Sequence, residues 1–108
     1  MNEKLLGDLS ARLAEMGLAA TTARLLTHEA ALARDRGEEF AALAARAKWA
    51  ASEAAVANAD ACIQVHGGWG YDESTGVERY LRDAKVTELY EGTSEMQKLV
   101  VARHAVGA

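Results

Sequence analysis

The sequence predicts an all-α protein, an up-and-down bundle of four helices, two long and two shorter. Three observations carry this. The 108 residues include no proline, many alanines and only 6% aromatic residues, a balance that favours helix over strand. Apolar residues recur at steps of three and four over long stretches. Glycines mark where two of those stretches end, at Gly37 and from Gly67 to Gly70. A chain of this length forms one domain, residues 1–108, with a single modest core.

Leu5, Leu9, Leu13, Met16, Ala20 and Ala23 lie on one face of a first helix, which Leu26, Ala30 and Ala33 continue, giving a helix from about Glu3 to Arg36. Gly17 inside it costs roughly 1 kcal/mol relative to alanine, which points to a slight bend or a close helix contact. Gly37 ends the helix after Arg34 and Arg36, whose charges suit its negative C-terminal dipole. A second helix is expected from about Glu38 to Val65, with Phe40, Leu43, Ala47, Ala50, Ala54, Ala61 and Val65 as its core face. The small residues on that face let a neighbouring helix approach closely. The short connection at Gly37 makes the two an antiparallel pair, each longer than about 40 Å. Gly67-Gly68-Trp69-Gly70 breaks the second helix, and residues 72–76 have the composition of a loop. Helix resumes near Val77, with Val77, Leu81 and Ala84 facing inward, and stops before Tyr90. After a short break at Glu91-Gly92-Thr93, Ser94 and Gln97 fit a capping box as N-cap and N3. Met96, Leu99, Val100 and Val106 are expected to bury one side of the last helix.

Composition excludes several functions. The formal charge is −4, and the basic residues are interleaved with carboxylates, so no basic face exists for nucleic acid. Cys62 is the only cysteine, which rules out an intrachain disulfide and suits a small buried hydrophobe. The first residues, Met-Asn-Glu-Lys-Leu-Leu, lack the pattern of a secretory signal, and no segment approaches the roughly 20 apolar residues of a membrane span. A soluble, cytoplasmic protein is expected.

Two places ask for chemistry. In Gln64-Val65-His66-Gly67-Gly68-Trp69-Gly70, the density of glycine allows backbone amides to approach an anion, but on local evidence alone a tight structural turn with a stacked aromatic explains it better. It lacks the strand-before, helix-after context of a dinucleotide fingerprint. In Tyr90-Glu91-Gly92-Thr93-Ser94-Glu95, two acids flank a helix start. Glu95, in the first turn, fits a purely electrostatic role at the helix N-terminus. Glu91 fits that role less well, because Gly92 leaves its side chain open to a ligand. His28 and His104 lie within helices with no second ligand at metal spacing, so no metal site is assigned. The pairs Arg79/Asp83 and Glu78/Arg82 have the i,i+4 spacing of helix-stabilising ion pairs.

In combination these signals gain specificity. Gln64-Val65-His66-Gly67-Gly68-x-Gly70-Tyr71, Val77-Glu78-Arg79, Arg82-Asp83-Ala84-Lys85 and Tyr90-Glu91-Gly92-Thr93-Ser94-Glu95 form an ordered series. It resembles the C-terminal helical domain of FAD-dependent acyl-CoA dehydrogenases. Upstream, Leu13-Ala14-Glu15-Met16, Ala23-Arg24-Leu25-Leu26 and Ala47-Lys48 with Ser52-Glu53-Ala54 are similar to that domain's long helices, so the likeness covers nearly the whole chain.

The resemblance implies that Glu91 is the catalytic base, removing an α-proton from an acyl-CoA thioester while hydride leaves the β-carbon for the flavin. It implies that Gly92 borders the thioester and that Thr93, Ser94 and Glu95 contact FAD. It assigns Gln64, Val65, His66, Gly67 and Gly68 to the FAD of a neighbouring subunit. Electron-transfer flavoprotein as electron acceptor, a role in fatty acid metabolism and a homo-oligomer follow from the same likeness. Ser74 and Gly76 stand where the family often has glutamate and proline, and Trp69 where it often has tyrosine or asparagine. The family's N-terminal helical and central β-domains have no counterpart here, so the chain alone is expected to hold little FAD and to be inactive. The alternative expectation is a non-catalytic helical oligomerisation module derived from the same family.

Overall fold

A computed structural model describes residues 2–107. Five helices follow one another: α1 (Glu3–Asp35), α2 (Ala41–His66), the single turn α3 (Gly68–Tyr71), α4 (Val77–Lys85) and α5 (Ser94–Val106). Short 3-10 turns at Glu73–Thr75 and Val86–Glu88 complete the chain, and no strand occurs among the described residues. The four-helix bundle expected from the sequence is present, with α3 as an added turn.

α1 starts where the Asn2 side chain accepts the Leu5 N–H at 2.8 Å. It ends in a Schellman arrangement: the Gly37 N–H reaches the Arg34 carbonyl and the Glu38 N–H the Ala33 carbonyl, both at 3.0 Å. Because Glu38 completes the end of α1, α2 begins at Ala41 rather than near Glu38. The Glu39 carboxylate accepts the Ala41 N–H there, at 3.0 Å. Phe40, expected on the core face, instead precedes the helix with non-helical backbone and is exposed.

α2 is the central element; α1, α4 and α5 all pack on it. Asn58 Nδ2 donates to the Met16 carbonyl at 3.0 Å, and these two residues lie equally far from Gly37, as an antiparallel hairpin requires. The close approach rests on small side chains. Ala30 and Ala33 of α1, Ala42, Ala45, Ala47, Ser52 and Ala59 of α2, and Ala84 of α4 are buried, whereas no large side chain among the described residues is fully buried. Val77 and Leu81 face inward beside Ala84 and are half-buried, as the periodicity indicates.

Three expectations change. A Cβ at Gly17 meets nothing within 4 Å, so no close helix contact explains that glycine. Cys62 is half-exposed rather than buried. On α5, Val100 is half-buried, but Met96 and Leu99 are exposed and Val106 is 77% exposed. The surface of 7585 Å² exceeds the roughly 5,800 Å² of a compact monomer of this mass. The radius of gyration, 16.7 Å, likewise exceeds the about 13 Å expected for the length. Thus α5 packs on α2 through part of its surface only, and Met96, Leu99 and Val106 stay exposed.

Candidate active-site loop

The loop between α4 and α5 is built from the backbone upward. The 3-10 turn at Val86–Glu88 ends with the Leu89 and Tyr90 N–H groups both on the Val86 carbonyl, at 3.0 and 3.1 Å. Lys48 of α2 donates to the Thr87 carbonyl, and its Nζ stands 5.7 Å from the Tyr90 ring centroid. The chain then reverses through two residues in positive-φ backbone, Glu91 (58°) and Gly92 (101°). At Gly92 this φ favours glycine; a Cβ would lie 2.7 Å from Gln97 Nε2, the end of a flexible side chain that can move aside. Gln97 Nε2 also donates to the Gly92 carbonyl, at 3.4 Å.

Thr93 has extended backbone, and its hydroxyl accepts the Met96 N–H at 3.3 Å, so Thr93 caps α5. This corrects the expected cap at Ser94. Ser94 is the first helical residue, Gln97 lies one position beyond N3, and the capping box is absent. The displacement leaves the Ser94 hydroxyl buried with no hydrogen-bond partner. Thr93, Ser94 and Glu95 border a cleft of about 370 Å³ with Glu53, Lys85 and Lys98. Its charges are largely paired: Lys85 with Glu88 at 2.9 Å, and Lys98 with Glu95 at 3.8 Å. Lys98 also sits 5.5 Å from the Trp49 ring, whose indole N–H donates to Glu53 at 2.8 Å. Glu91 is on the exposed side of the loop.

The glycine segment lies elsewhere. Gly67, with φ of 65°, ends α2, but Trp69 and Gly70 continue as helix in α3 instead of extending the break. A Cβ on buried Gly70 would come within 2.7 Å of the Ile63 carbonyl, so this glycine serves packing. Val65 is half-buried; Gln64, His66, Gly67 and Gly68 are exposed. His66 Nδ1 lies 2.8 Å from the Cys62 carbonyl, so the backbone of α2 occupies it. Gln64 and Val65 line a cleft of about 370 Å³ with Leu5, Asp8, Leu9 and Arg12. Arg12, which no local pattern singled out, reaches this place only because α1 folds back along α2. Lys48, beside Tyr90, and His66, beside Gly67, are separated by about 27 Å along α2. The chain therefore brings Glu91, Gly92, Thr93, Ser94 and Glu95 together and holds Gln64 to Gly68 apart from them.

Glu78 and Arg82 form the expected ion pair at 3.3 Å; Arg79 and Asp83 do not pair among the described residues.

The all-helical frame finds its counterpart among known proteins. The family pattern described as acyl-CoA dehydrogenase, C-terminal domain, matches residues 7–106. The chain belongs to the acyl-CoA dehydrogenase family. It is 50% identical over 99 residues to the mitochondrial short-chain specific acyl-CoA dehydrogenase of Rattus norvegicus, covering 92% of this chain and 24% of that protein. An acyl-CoA dehydrogenase of Bacillus subtilis is 44% identical over 99 residues, covering 92% of this chain and 26% of the other. Among solved structures, butyryl-CoA dehydrogenase from Megasphaera elsdenii superposes with a TM-score of 0.87 at 39% identity, over 90% of this chain and 25% of that one. The FAD complex of PigA gives a TM-score of 0.89 at 30% identity, over 92% and 26%. This acyl-CoA dehydrogenase domain thus spans about a quarter of the length of the relatives it matches, and FAD is the cofactor of the family. No helix in it is long and apolar enough to cross a membrane.

Proposed function

We propose that this acyl-CoA dehydrogenase domain supplies the catalytic base, Glu91, and part of the FAD site to a flavoprotein that oxidises an acyl-CoA thioester to the trans-2-enoyl-CoA. The observation that carries the proposal is the backbone at Glu91. It is the one non-glycine residue with positive φ among the described residues. That conformation costs an L-residue roughly 1–2 kcal/mol, and such strain concentrates where a side chain must be aimed. The reversal turns the carboxylate outward beside Gly92, which has no side chain to block a thioester. A base must come within hydrogen-bond reach of the proton it takes, and an outward carboxylate meets that need once substrate covers the loop.

The residues next to it fit a polar cofactor edge. Ser94 offers a buried hydroxyl with its donor and acceptor unused, and the cleft between Thr93, Glu95 and Lys98 opens beside it. Bound FAD would accept the hydride from the β-carbon; Glu91 holds the α-proton. The separation along α2 of Lys48, beside the loop, from His66, beside the glycine segment, about 27 Å of helix rise, supports giving Gln64 to Gly68 to the FAD of a second subunit in a homo-oligomer. Electron-transfer flavoprotein is the proposed acceptor, and we place the protein in the cytoplasm, with cell fractionation as the check. Since PigA, solved with FAD and proline, shares this fold, the fold alone does not select the substrate. The glutamate in its Gly-Thr context favours a thioester.

A specific observation favours a second reading, a non-catalytic assembly module. Leu18, Leu25 and Leu32 recur every seven residues on α1, and Leu18 is 69% exposed. The two readings separate in a protein carrying this domain together with the family's other domains. Butyryl-CoA is the substrate to try, since relatives about half identical are named short-chain specific. Glu91→Gln is expected to lower turnover by about 10²–10⁴, the usual share of a general base, with FAD still bound. An assembly module would show no turnover to lose.

A further inference from the structure

Lys48 is a half-buried ammonium with no counter-ion among the described residues. It projects from α2, two turns after its start, and makes no ion pair within 4.0 Å among the described residues. What it touches is the base-bearing loop. Its Nζ donates to the Thr87 carbonyl and faces the Tyr90 ring from 5.7 Å. Both contacts are long-range in sequence and both precede Glu91 by only a few residues. The Tyr90 N–H is turned to the Val86 carbonyl, which leaves the Thr87 carbonyl open for the ammonium.

The root of the side chain is fixed as well. Ser52, buried one turn further along α2, donates its hydroxyl to the Lys48 carbonyl at 2.7 Å. On the far side of the contact, the Thr87 hydroxyl donates to the Ala84 carbonyl at 2.6 Å, tying the turn to the end of α4. Beyond this, Leu89, Tyr90 and Glu91 are all exposed. A half-buried lysine without a carboxylate partner among the described residues gains no ion-pair stabilisation from its charge. Its contacts make sense if holding this loop is what it does.

We infer that Lys48 is a positioning residue: by gripping the Thr87 carbonyl and the Tyr90 ring, it fixes the loop against α2 and sets where the Glu91 carboxylate points. The inference rests on Glu91 being the base, but its mechanical half does not. Lys48→Met keeps the aliphatic stem and removes the charge. Lys48→Arg restores a cation able to reach a carbonyl and an aromatic face. Tyr90→Leu removes the second contact without touching α2.

Amide hydrogen exchange on the 108-residue chain reads the grip directly. In Lys48→Met the amides from Leu89 to Gly92 are expected to exchange about tenfold faster, those of α1 and the rest of α2 as before. Tyr90→Leu shows a smaller rise, and Lys48→Arg returns towards the parent. In the protein completed with the family's other domains, Lys48→Met is expected to lower kcat about 100-fold, the loss typical of misplacing a catalytic group by about 1 Å. KM and FAD content stay near the parent's, and Lys48→Arg recovers much of kcat. Unchanged loop exchange, a rise spread over the whole chain, or a kcat loss matched by FAD loss overturns the inference. Retained turnover in Glu91→Gln overturns the base assignment instead, and leaves the exchange result to judge the grip.

Discussion

Glu91 occupies backbone that a glycine would adopt without strain. Replacing it with glycine relieves a Cβ clash of roughly 1–2 kcal/mol, offset by about 0.5–1 kcal/mol of added unfolded-state entropy. Glu91→Gly is therefore expected to stabilise the chain by about 0.5–1 kcal/mol in thermal or urea unfolding while abolishing turnover in the completed enzyme. A destabilised variant would show that the glutamate side chain itself holds the loop. The neighbouring Gly92 was legible in the sequence as a break before a helix, and Glu91 as the acid that an electrostatic role explained least. The cap was not legible, because Thr93 and Ser94 are both good caps and only the extended backbone at Thr93 decides between them. Nor was Lys48, whose partners are thirty-nine and more positions away.

At the scale of the helix ends, hydroxyl placement makes a sharp pair of expectations. Thr93→Ala removes the N-cap of α5 and is expected to cost about 1 kcal/mol. Ser94→Ala removes a hydroxyl that makes no hydrogen bond, so the chain's stability should hold or rise slightly, while FAD affinity of the completed enzyme falls. Urea titration of both variants separates them. Asp72 provides a pH handle on the turn before α4. Its carboxyl is held below the usual aspartate range by the Ser74 backbone N–H at 2.9 Å and then by the Ser74 side chain. The folded form thus favours the carboxylate. The resulting stabilisation is present above the ordinary aspartate range and is lost as pH falls through the lowered value. An NMR titration of the Asp72 carboxyl is expected to show that lowered midpoint, and an ordinary midpoint would contradict the turn geometry. Long elements were the most legible: α1, α2 and α4 follow from three-and-four periodicity over many residues. Their ends moved where local bonding decided, as at Glu38, whose N–H completes α1 and delays α2 to Ala41.

Across the whole molecule, a core of alanines brings α1, α2 and α4 close but buries little apolar surface per residue. Leu18, Leu25, Met96 and Val106 remain open. Periodicity placed Met96 and Val106 on an apolar face and expected them buried, whereas Leu18 and Leu25 lie off the face it gave for α1. The isolated chain is expected to self-associate with rising concentration in sedimentation and to bind little FAD; a monomer with stoichiometric flavin would contradict both. Under the proposed assignment, Glu91 to Glu95 and Gln64 to Gly68 serve two different FAD molecules, and a full site takes a second subunit. The most direct test of the central claim is anaerobic mixing of butyryl-CoA with the completed flavoprotein carrying Glu91→Gln. The flavin is expected to stay bound and yellow while the parent bleaches; bleaching of the variant at the parent's rate would show that another group takes the α-proton.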